Sequence, residues 1–248
     1  MIAVHRIRIS KDQFQKMEED ERLALILLGH MFNQMGVQFK MLSFSMNNDV
    51  ESEIEQSVSA AQTHILLRLF LGTLFETWDT INNRIVKQHI WEKYSGITSA
   101  AGVSALATLQ DHFEKSNILV QIRNNIAYHY PNDKLLKRAF DDTAADEPWD
   151  WYLSDKITNS FYFSSDVVVS HSFIPIAGET NVSLAFKKIM GEVGIVVNCV
   201  NDFMMALMAA IVSKNFPDAI TKRELAAEIS DAPNRREFFI PFYAEDTD

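Results

Sequence analysis

The segment QIRNNIAYHYP at residues 121–131 combines residue types that could act on a phosphate group. Arg123 carries a planar guanidinium that can bind two phosphate oxygens at once and that stays charged at any physiological pH. His129 lies six residues further on, and an imidazole that titrates near neutrality can serve as a general base. Asn124 and Tyr130 add polar groups that could orient a phosphate or stack on a base. The segment therefore predicts a site for phosphodiester chemistry.

This segment resembles the Arg-x(4–6)-His signature of the HEPN superfamily, the higher eukaryotes and prokaryotes nucleotide-binding domains. Members of that family are small α-helical bundles, often dimeric. Many are metal-independent RNases of toxin–antitoxin, abortive-infection and other phage-defence systems. The resemblance covers about residues 20–130 and 182–215. It implies an endoribonuclease in which His129 takes the proton of an RNA 2′-hydroxyl and Arg123 clamps the attacked phosphate.

A second match to the same spacing runs from Arg84 to His89, in RIVKQH. A chain with this many Arg and His residues contains about one such match by chance, so the spacing alone does not decide between the two. We prefer Arg123 and His129 because a polar residue follows that arginine and because Pro131 ends the helix just after the histidine. The Arg84 match lacks the polar residue, and we expect its helix to continue past His89.

Two acidic residues on a predicted central helix, Glu76 and Asp79, could orient Arg123. They interrupt the apolar run LFLGTLFETWDTI, so they could equally form a hydrogen-bonded buried cluster or a solvent-facing edge. A purely structural role for the motif also stays open, with Arg123 paired to a carboxylate such as Glu76 and His129 capping the helix. The alternative function is then a non-catalytic helical nucleotide-binding or protein-interaction module of the same fold.

Apolar residues recur at helical spacing over several long stretches of the chain, which include the motif at 121–131. This pattern predicts a mainly α protein, an antiparallel bundle of four or more long helices. On an ideal helix Arg123 and His129 would lie about 120° apart. We expect Pro131 to loosen the last turn, so that His129 can swing back towards the arginine. The predicted helices are Glu19–Met46, Glu51–Tyr94, Val103–His129, a short helix capped by Asn132, Val182–Asn215 and a last short helix over TKRELAAEI.

A small β-hairpin is predicted as an insertion at about residues 151–174, where WYLSDKI and FYFSSDVVVSHSFI are aromatic and β-branched. The signal for a short strand at residues 2–9 is weak. Residues 1–248 are interpreted as a single HEPN-like helical domain with a C-terminal tail at about 233–248.

Composition excludes several classes of function. The formal charge is −10, which argues against general binding to duplex DNA. The sequence contains no glycine-rich phosphate loop and no paired histidines at metal-binding spacing, so neither a cofactor nor a metal is predicted. The lone Cys199 lies in an apolar stretch and is interpreted as an unreactive core thiol.

The expected location and partners follow from the same features. The N-terminus lacks a signal-peptide pattern, and the apolar stretch 189–212 is broken by charged and amide residues, so we expect a cytoplasmic protein without a membrane partner. The predicted partners are RNA, a second copy of the chain in a homodimer, and an antitoxin or another protein. The dimer surfaces are expected on the helices at 182–215 and 103–129.

Overall fold

The computed structural model describes residues 1–46, 52–115, 117–128, 130–147, 149–234 and 237–245. The protein is mainly helical with a small antiparallel sheet, so the predicted fold class is confirmed. In chain order the elements are β1 (Ile2–Arg6), α1 (Lys11–Gln15), α2 (Glu19–Ser45), α3 (Glu53–Thr80), a π-helical turn (Ile81–Val86), α4 (Ile90–Tyr94), α5 (Ala100–Glu114), α6 (Ile118–Ile122), a second π-helical turn (Arg123–Ala127), α7 (Asp133–Asp141), a 3₁₀ turn (Ile157–Asn159), α8 (Phe163–His171), α9 (Phe173–Ala177), α10 (Val182–Asn215), α11 (Pro217–Thr221) and β2 (Glu224–Ile229).

The chain divides into two compact units, each built from three segments. The first unit comprises Met1–Gly36, Glu76–Lys115 and Ile195–Asn234. The second unit comprises Val37–Phe75, Ser116–Gly194 and Arg235–Asp248. The interpretation of the whole chain as one HEPN-like domain stays a prediction.

The first unit has an apolar core that includes a buried ionic cluster. Glu21 is almost fully buried, and its carboxylate lies 3.2 Å from Lys214 Nζ and accepts a hydrogen bond from Asn215. Asn215 also donates to the hydroxyl of Tyr94 at 3.0 Å. Because a buried carboxylate is costly unless it is paired, these contacts fix where α2 and the end of α10 meet within this unit.

The second unit is held together by a core of large apolar side chains. Phe70, Leu71 and Leu74 of α3 are fully buried, as are Phe173 of α9 and Ile189 of α10. Since α3 is apolar on most sides, it buries more than one face, as expected for a central helix. This helix carries the side chains against which the Arg123 segment packs.

The sheet lies elsewhere than the sequence predicted. β1 pairs antiparallel with β2, from Ile2 opposite Ile229 to Arg6 opposite Glu224. The prediction of a helix over TKRELAAEI is wrong because its last six residues, Glu224–Ile229, form β2. A local helix preference is weak, and here pairing with a strand 218 positions away in sequence overrides it.

Residues 151–174 do not form the predicted hairpin. Tyr152 and Phe161 make an isolated antiparallel bridge, with backbone hydrogen bonds of 2.8 and 2.6 Å. The β-branched run that follows is helical, as part of α8. β-branched residues lower helix propensity only slightly, so tertiary contacts of α8 with α3, described below, decide the conformation.

Two predicted helices are broken earlier than expected. In place of one helix over 51–94, α3 is followed by the first π-helical turn and then by α4. His89 adopts a left-handed backbone with φ of 64° just before α4 begins. The helix predicted over 103–129 is divided into α5 and α6, and Asn117 caps α6 through a hydrogen bond from Val120 N. In contrast, the bounds of α2, α7 and α10 agree with the predictions.

Two helical stretches in the described part of the chain, Glu53–Val86 and Val182–Asn215, are long and apolar enough to cross a membrane by length and composition alone. About half of each apolar stretch is buried inside the protein. Core helices of soluble proteins pass the same test, so this property is weak support for a membrane span.

Candidate functional site

Arg123 lies at the point where α6 widens into the second π-helical turn. Its guanidinium carbon is 5.1 Å from the centre of the Phe75 ring of α3, a cation–π contact. Its Nη1 donates a hydrogen bond to Asn124 Oδ1 at 3.2 Å. The half-buried Arg123 is therefore oriented by an aromatic face on one side and by its neighbour Asn124 on the other.

The π-helical turn changes the geometry assumed for an ideal helix. The sequence predicted loosening only at the end, next to Pro131, whereas the backbone already widens at Arg123 and stays π-helical to Ala127. Such turns insert one extra residue into a helix and are common at functional sites. The angular separation estimated for an ideal helix therefore does not apply here.

Tyr128 anchors the end of this turn on α3. Its hydroxyl lies 2.8 Å from the hydroxyl of Thr73, which is buried. Its ring lies directly over Gly72, where a side chain would clash with it. Tyr128 is not among the site residues predicted from sequence, and Gly72 opposite it is the feature that could have indicated a close approach.

The other predicted site residues are only partly brought together. Asn124 contacts Arg123, and Tyr130 is 98% exposed. His129, the predicted base, lies outside the described residues. Glu76 is half-buried and follows Phe75 in α3, and the exposed Asp79 accepts a hydrogen bond from Asn83 Nδ2 at 2.9 Å.

An open cavity of about 360 Å³ lies beside residues 126–128, 130 and 131, which follow Arg123 in the motif, and we call it the motif cavity. Ile126, Ala127, Tyr128, Tyr130 and Pro131 form one wall, and Ile65, Arg68 and Leu69 of α3 form the other. Arg68 is the charged side chain in this lining. The charge of Arg68 is paired with Asp166, so the two tyrosine rings are the groups that could receive a base by stacking.

Arg68 belongs to a ladder of polar contacts between α3 and α8. Arg68 Nη2 lies 3.3 Å from Asp166 Oδ1, and His64 Nδ1 lies 2.8 Å from Ser170 Oγ. The two residues on each helix are four positions apart, which places them on one helix face. The later residue of α3, Arg68, pairs with the earlier residue of α8, Asp166, and the other two residues pair with each other, so α8 packs antiparallel to α3 here.

Burial controls the charge states of this ladder. Burial lowers the pKa of His64 to about 4, and the neighbouring positive charge of Arg68 lowers it further, so His64 is neutral near pH 7. Burial also raises the pKa of Asp166, although Arg68 opposes this shift. A second cavity, of about 170 Å³, lies beside these residues and is lined by Ala61, His64, Phe163, Asp166 and Ser170 among others.

Sequence reasoning missed Arg68, Asp166 and Ser170 as neighbours of the candidate site. His64 is half-buried and shares a hydrogen bond with Ser170, while His30 is exposed. The signal that could have found the ladder is the repeated four-residue spacing of polar residues in two otherwise apolar helices.

The alternative motif does not continue as an uninterrupted helix, so that reason for rejecting it was wrong. Arg84 is exposed in the first π-helical turn, and His89 follows in its left-handed conformation. His89 Nδ1 lies 2.9 Å from Glu92 Oε2, and both side chains are largely exposed. The absence of a polar residue after Arg84 remains as the difference that favours the Arg123 motif.

Metal binding and thiol chemistry are two other possible activities of the described side chains. In the described part of the chain, no group of three or more His, Cys, Asp and Glu side chains could hold a metal ion. Cys199 is half-buried in α10, and burial and then the charge of Asp202 raise the pKa of its thiol. A raised thiol pKa lowers the thiolate fraction, so Cys199 is a weak nucleophile.

Comparisons of the chain with protein-family models, curated proteins and solved structures find no match.

Proposed function

We propose that the protein is a metal-independent endoribonuclease that binds RNA in the motif cavity. The observation that carries the proposal is that residues 126–128, 130 and 131, which follow Arg123 in the motif, form one wall of this cavity. An open cavity of this size can accept part of a nucleotide, and its tyrosines can stack on a base.

In the proposed reaction, His129 takes the proton from a ribose 2′-hydroxyl, and the 2′-oxygen attacks the adjacent phosphorus. Arg123 donates hydrogen bonds to the non-bridging oxygens, whose charge rises in the transition state. The bond from phosphorus to the 5′-oxygen then breaks, and the 5′-oxygen takes back a proton from the imidazolium. The products are a 2′,3′-cyclic phosphate and a free 5′-hydroxyl.

The contact of Arg123 with Phe75 supports the positioning that this reaction requires. A guanidinium over an aromatic ring loses part of its rotational freedom before substrate binds, which lowers the entropic cost of clamping a phosphate. Asn124 holds Nη1 from the adjacent position. The orientation of Arg123 by Glu76 or Asp79 stays a prediction.

The same contact favours the second candidate function, a non-catalytic nucleotide-binding or protein-interaction module. An arginine held over Phe75 can serve packing alone. Such a module would bind RNA or a partner protein and leave RNA intact. The two candidates therefore differ in one observable, cleavage.

The partners and location are proposed together with this activity. Exposed apolar side chains on α10, among them Ile195 and Met205, together with Val103 on α5, support a homodimer built on these helices. A cytoplasmic toxin or defence role, with an antitoxin or another protein as partner and no membrane partner, completes the proposal.

Expression in bacterial cells tests the proposed function. Wild type should slow growth and degrade cellular RNA, while His129→Ala expressed to the same level should do neither. Equal toxicity of both proteins, or intact RNA with both, would favour the non-catalytic module. Circular dichroism of the purified variant confirms that it is folded.

A further inference from the structure

A third open cavity, of about 540 Å³, adjoins the motif cavity, because Tyr130 and Pro131 line both. Leu136, Trp149 and Trp151 also line it. We use the name aromatic groove for the surface formed by Tyr130, Pro131, Leu136, Trp149 and Trp151. Trp149 is 51% exposed and Trp151 is 62% exposed. Exposed aromatic side chains that are grouped in one place are typical of a binding surface.

The two indole rings of the groove are held in place. The Trp151 Nε1 donates a hydrogen bond to Ser164 Oγ at 2.8 Å, and its ring packs edge-on against Tyr162 at 5.5 Å. The Trp149 ring lies 5.3 Å from that of Phe140. Rings that are already oriented lose little entropy when a ligand stacks on them.

The segments that line the groove carry charges of both signs. Helix α7, which contributes Leu136 to the lining, also exposes Lys134 and Lys137. The charge of Arg138 on this helix is already paired with Asp142 at 3.6 Å. The acidic residues at 141–150 oppose strong attraction of phosphates, so stacking must supply most of the binding energy.

We propose that the aromatic groove binds single-stranded RNA, with bases stacked on Trp149, Trp151 and Tyr130 and a phosphate near Lys137, which follows Leu136 in α7. Bases in a duplex are already stacked on one another, so only unpaired RNA can use these rings. The inference rests on the proposed function, because it names unpaired RNA as the substrate class of the motif cavity. The shared Tyr130 and Pro131 connect the two cavities.

Binding of a fluorescein-labelled 2′-O-methyl oligouridylate tests the groove separately from cleavage, since this probe has no free 2′-hydroxyl. Trp149→Ala and Trp151→Ala should each weaken binding about 10-fold, the usual effect of losing one stacking platform. Trp151→Phe should restore most of the affinity. Phe239→Ala removes an exposed aromatic side chain from another cavity and should leave binding unchanged.

Two further measurements sharpen the test. A duplex RNA of the same length should bind at least about 10-fold more weakly than the single strand. With one lysine near a phosphate, the logarithm of the binding constant should fall with the logarithm of salt concentration with a slope of about −0.7. Unchanged affinity in both tryptophan variants, equal binding of the duplex, or preferential binding of oligoarginine over RNA would overturn the inference.

The outcomes separate this inference from the proposed function. Single-strand binding that depends on the tryptophans, without cleavage of ordinary RNA, supports the groove and overturns the endoribonuclease. Cleavage that is indifferent to both tryptophans supports the endoribonuclease and overturns the groove. A change from dimer to monomer in Trp149→Ala and Trp151→Ala, with RNA binding intact, would assign these rings to self-association and also overturn the inference.

Discussion

The ring of Tyr128 lies so close to Gly72 that a Cβ on Gly72 would come within 2.6 Å of Tyr128 Cε2. The same tyrosine shares a hydrogen bond with the adjacent Thr73. Both contacts attach the Arg123 turn to α3 and leave the motif cavity open beside it. The shape of the candidate site therefore depends on the absence of a side chain at one position of a buried helix.

Gly72→Ala should displace Tyr128 and reduce RNA cleavage. Alanine in a helix interior normally raises the free energy of unfolding by about 1 kcal/mol relative to glycine. Here the displaced ring and the lost Thr73 hydrogen bond, worth about 1 kcal/mol, cancel that gain. Urea unfolding of the variant measures the balance.

The matched control is Gly191→Ala in α10, where an added Cβ meets nothing within 4 Å. This variant should be stabilised by about 1 kcal/mol and should cleave RNA normally. Equal stabilisation of both variants would show that the Tyr128 contact does not constrain Gly72.

Stability should depend on pH through His64. Its pKa is about 4 in the folded protein and near 6.5 when exposed, so between these values the unfolded chain binds a proton that the folded chain does not. The free energy of unfolding should therefore fall as pH drops from 6.5 to 4, by as much as about 3 kcal/mol.

Comparison with His64→Gln isolates this contribution. Urea unfolding at a series of pH values should show a smaller loss of stability in the variant over that interval, while the exposed His30→Gln should keep the wild-type profile. Identical profiles for wild type and His64→Gln would contradict the assignment.

The ion pair between Arg68 and Asp166 should show strong coupling. The two side chains are 15% and 21% exposed, so removing either partner leaves a largely buried charge. Arg68→Ala and Asp166→Ala should each lower the free energy of unfolding by roughly 3 kcal/mol. The double replacement Arg68→Ala with Asp166→Ala should cost far less than the sum of the two single losses.

A double-mutant cycle measured by urea unfolding provides the coupling energy. Additive losses in the cycle would mean that the pair does not hold α8 against α3.

The proposed homodimer makes a prediction about mass in solution. Light scattering at micromolar concentration should give twice the 28.3 kDa of one chain. Ile195→Glu on α10 should shift the protein towards monomer, because a charge is costly in an apolar interface. A species of 28.3 kDa for wild type would refute the dimer.

Several elements could be predicted from local sequence alone. The apolar spacing of α2 and α10 gave their bounds, and Asn132 marked the start of α7 because its side chain accepts a hydrogen bond from Leu135 N. These signals act within a few residues, so no distant contact was needed to read them.

The errors came from contacts between distant residues. β2 forms because β1 pairs with it, and α8 is helical where its β-branched residues suggested a strand, since Asp166 and Ser170 contact α3. The breaks at the two π-helical turns also lacked a local signal such as proline or glycine. At the candidate site, the residue types were visible in sequence, whereas the contacts of Arg123 with Phe75 and of Tyr128 with Gly72 were not.

RNA cleavage by purified protein tests the central claim most directly. With EDTA present, wild type should cleave single-stranded RNA to products with 2′,3′-cyclic phosphates and leave DNA intact, since Arg123 supplies the positive charge at the phosphate. Arg123→Ala and His129→Ala should each be slower by at least about 100-fold. Arg123→Lys should not restore the rate, because a point charge cannot replace the planar fork.

The controls are Arg84→Ala and His89→Ala, which remove the alternative motif and should cleave at the wild-type rate. Cleavage that persists in His129→Ala and disappears in His89→Ala would contradict the choice of motif. Wild-type protein that leaves single-stranded RNA intact would contradict the account itself.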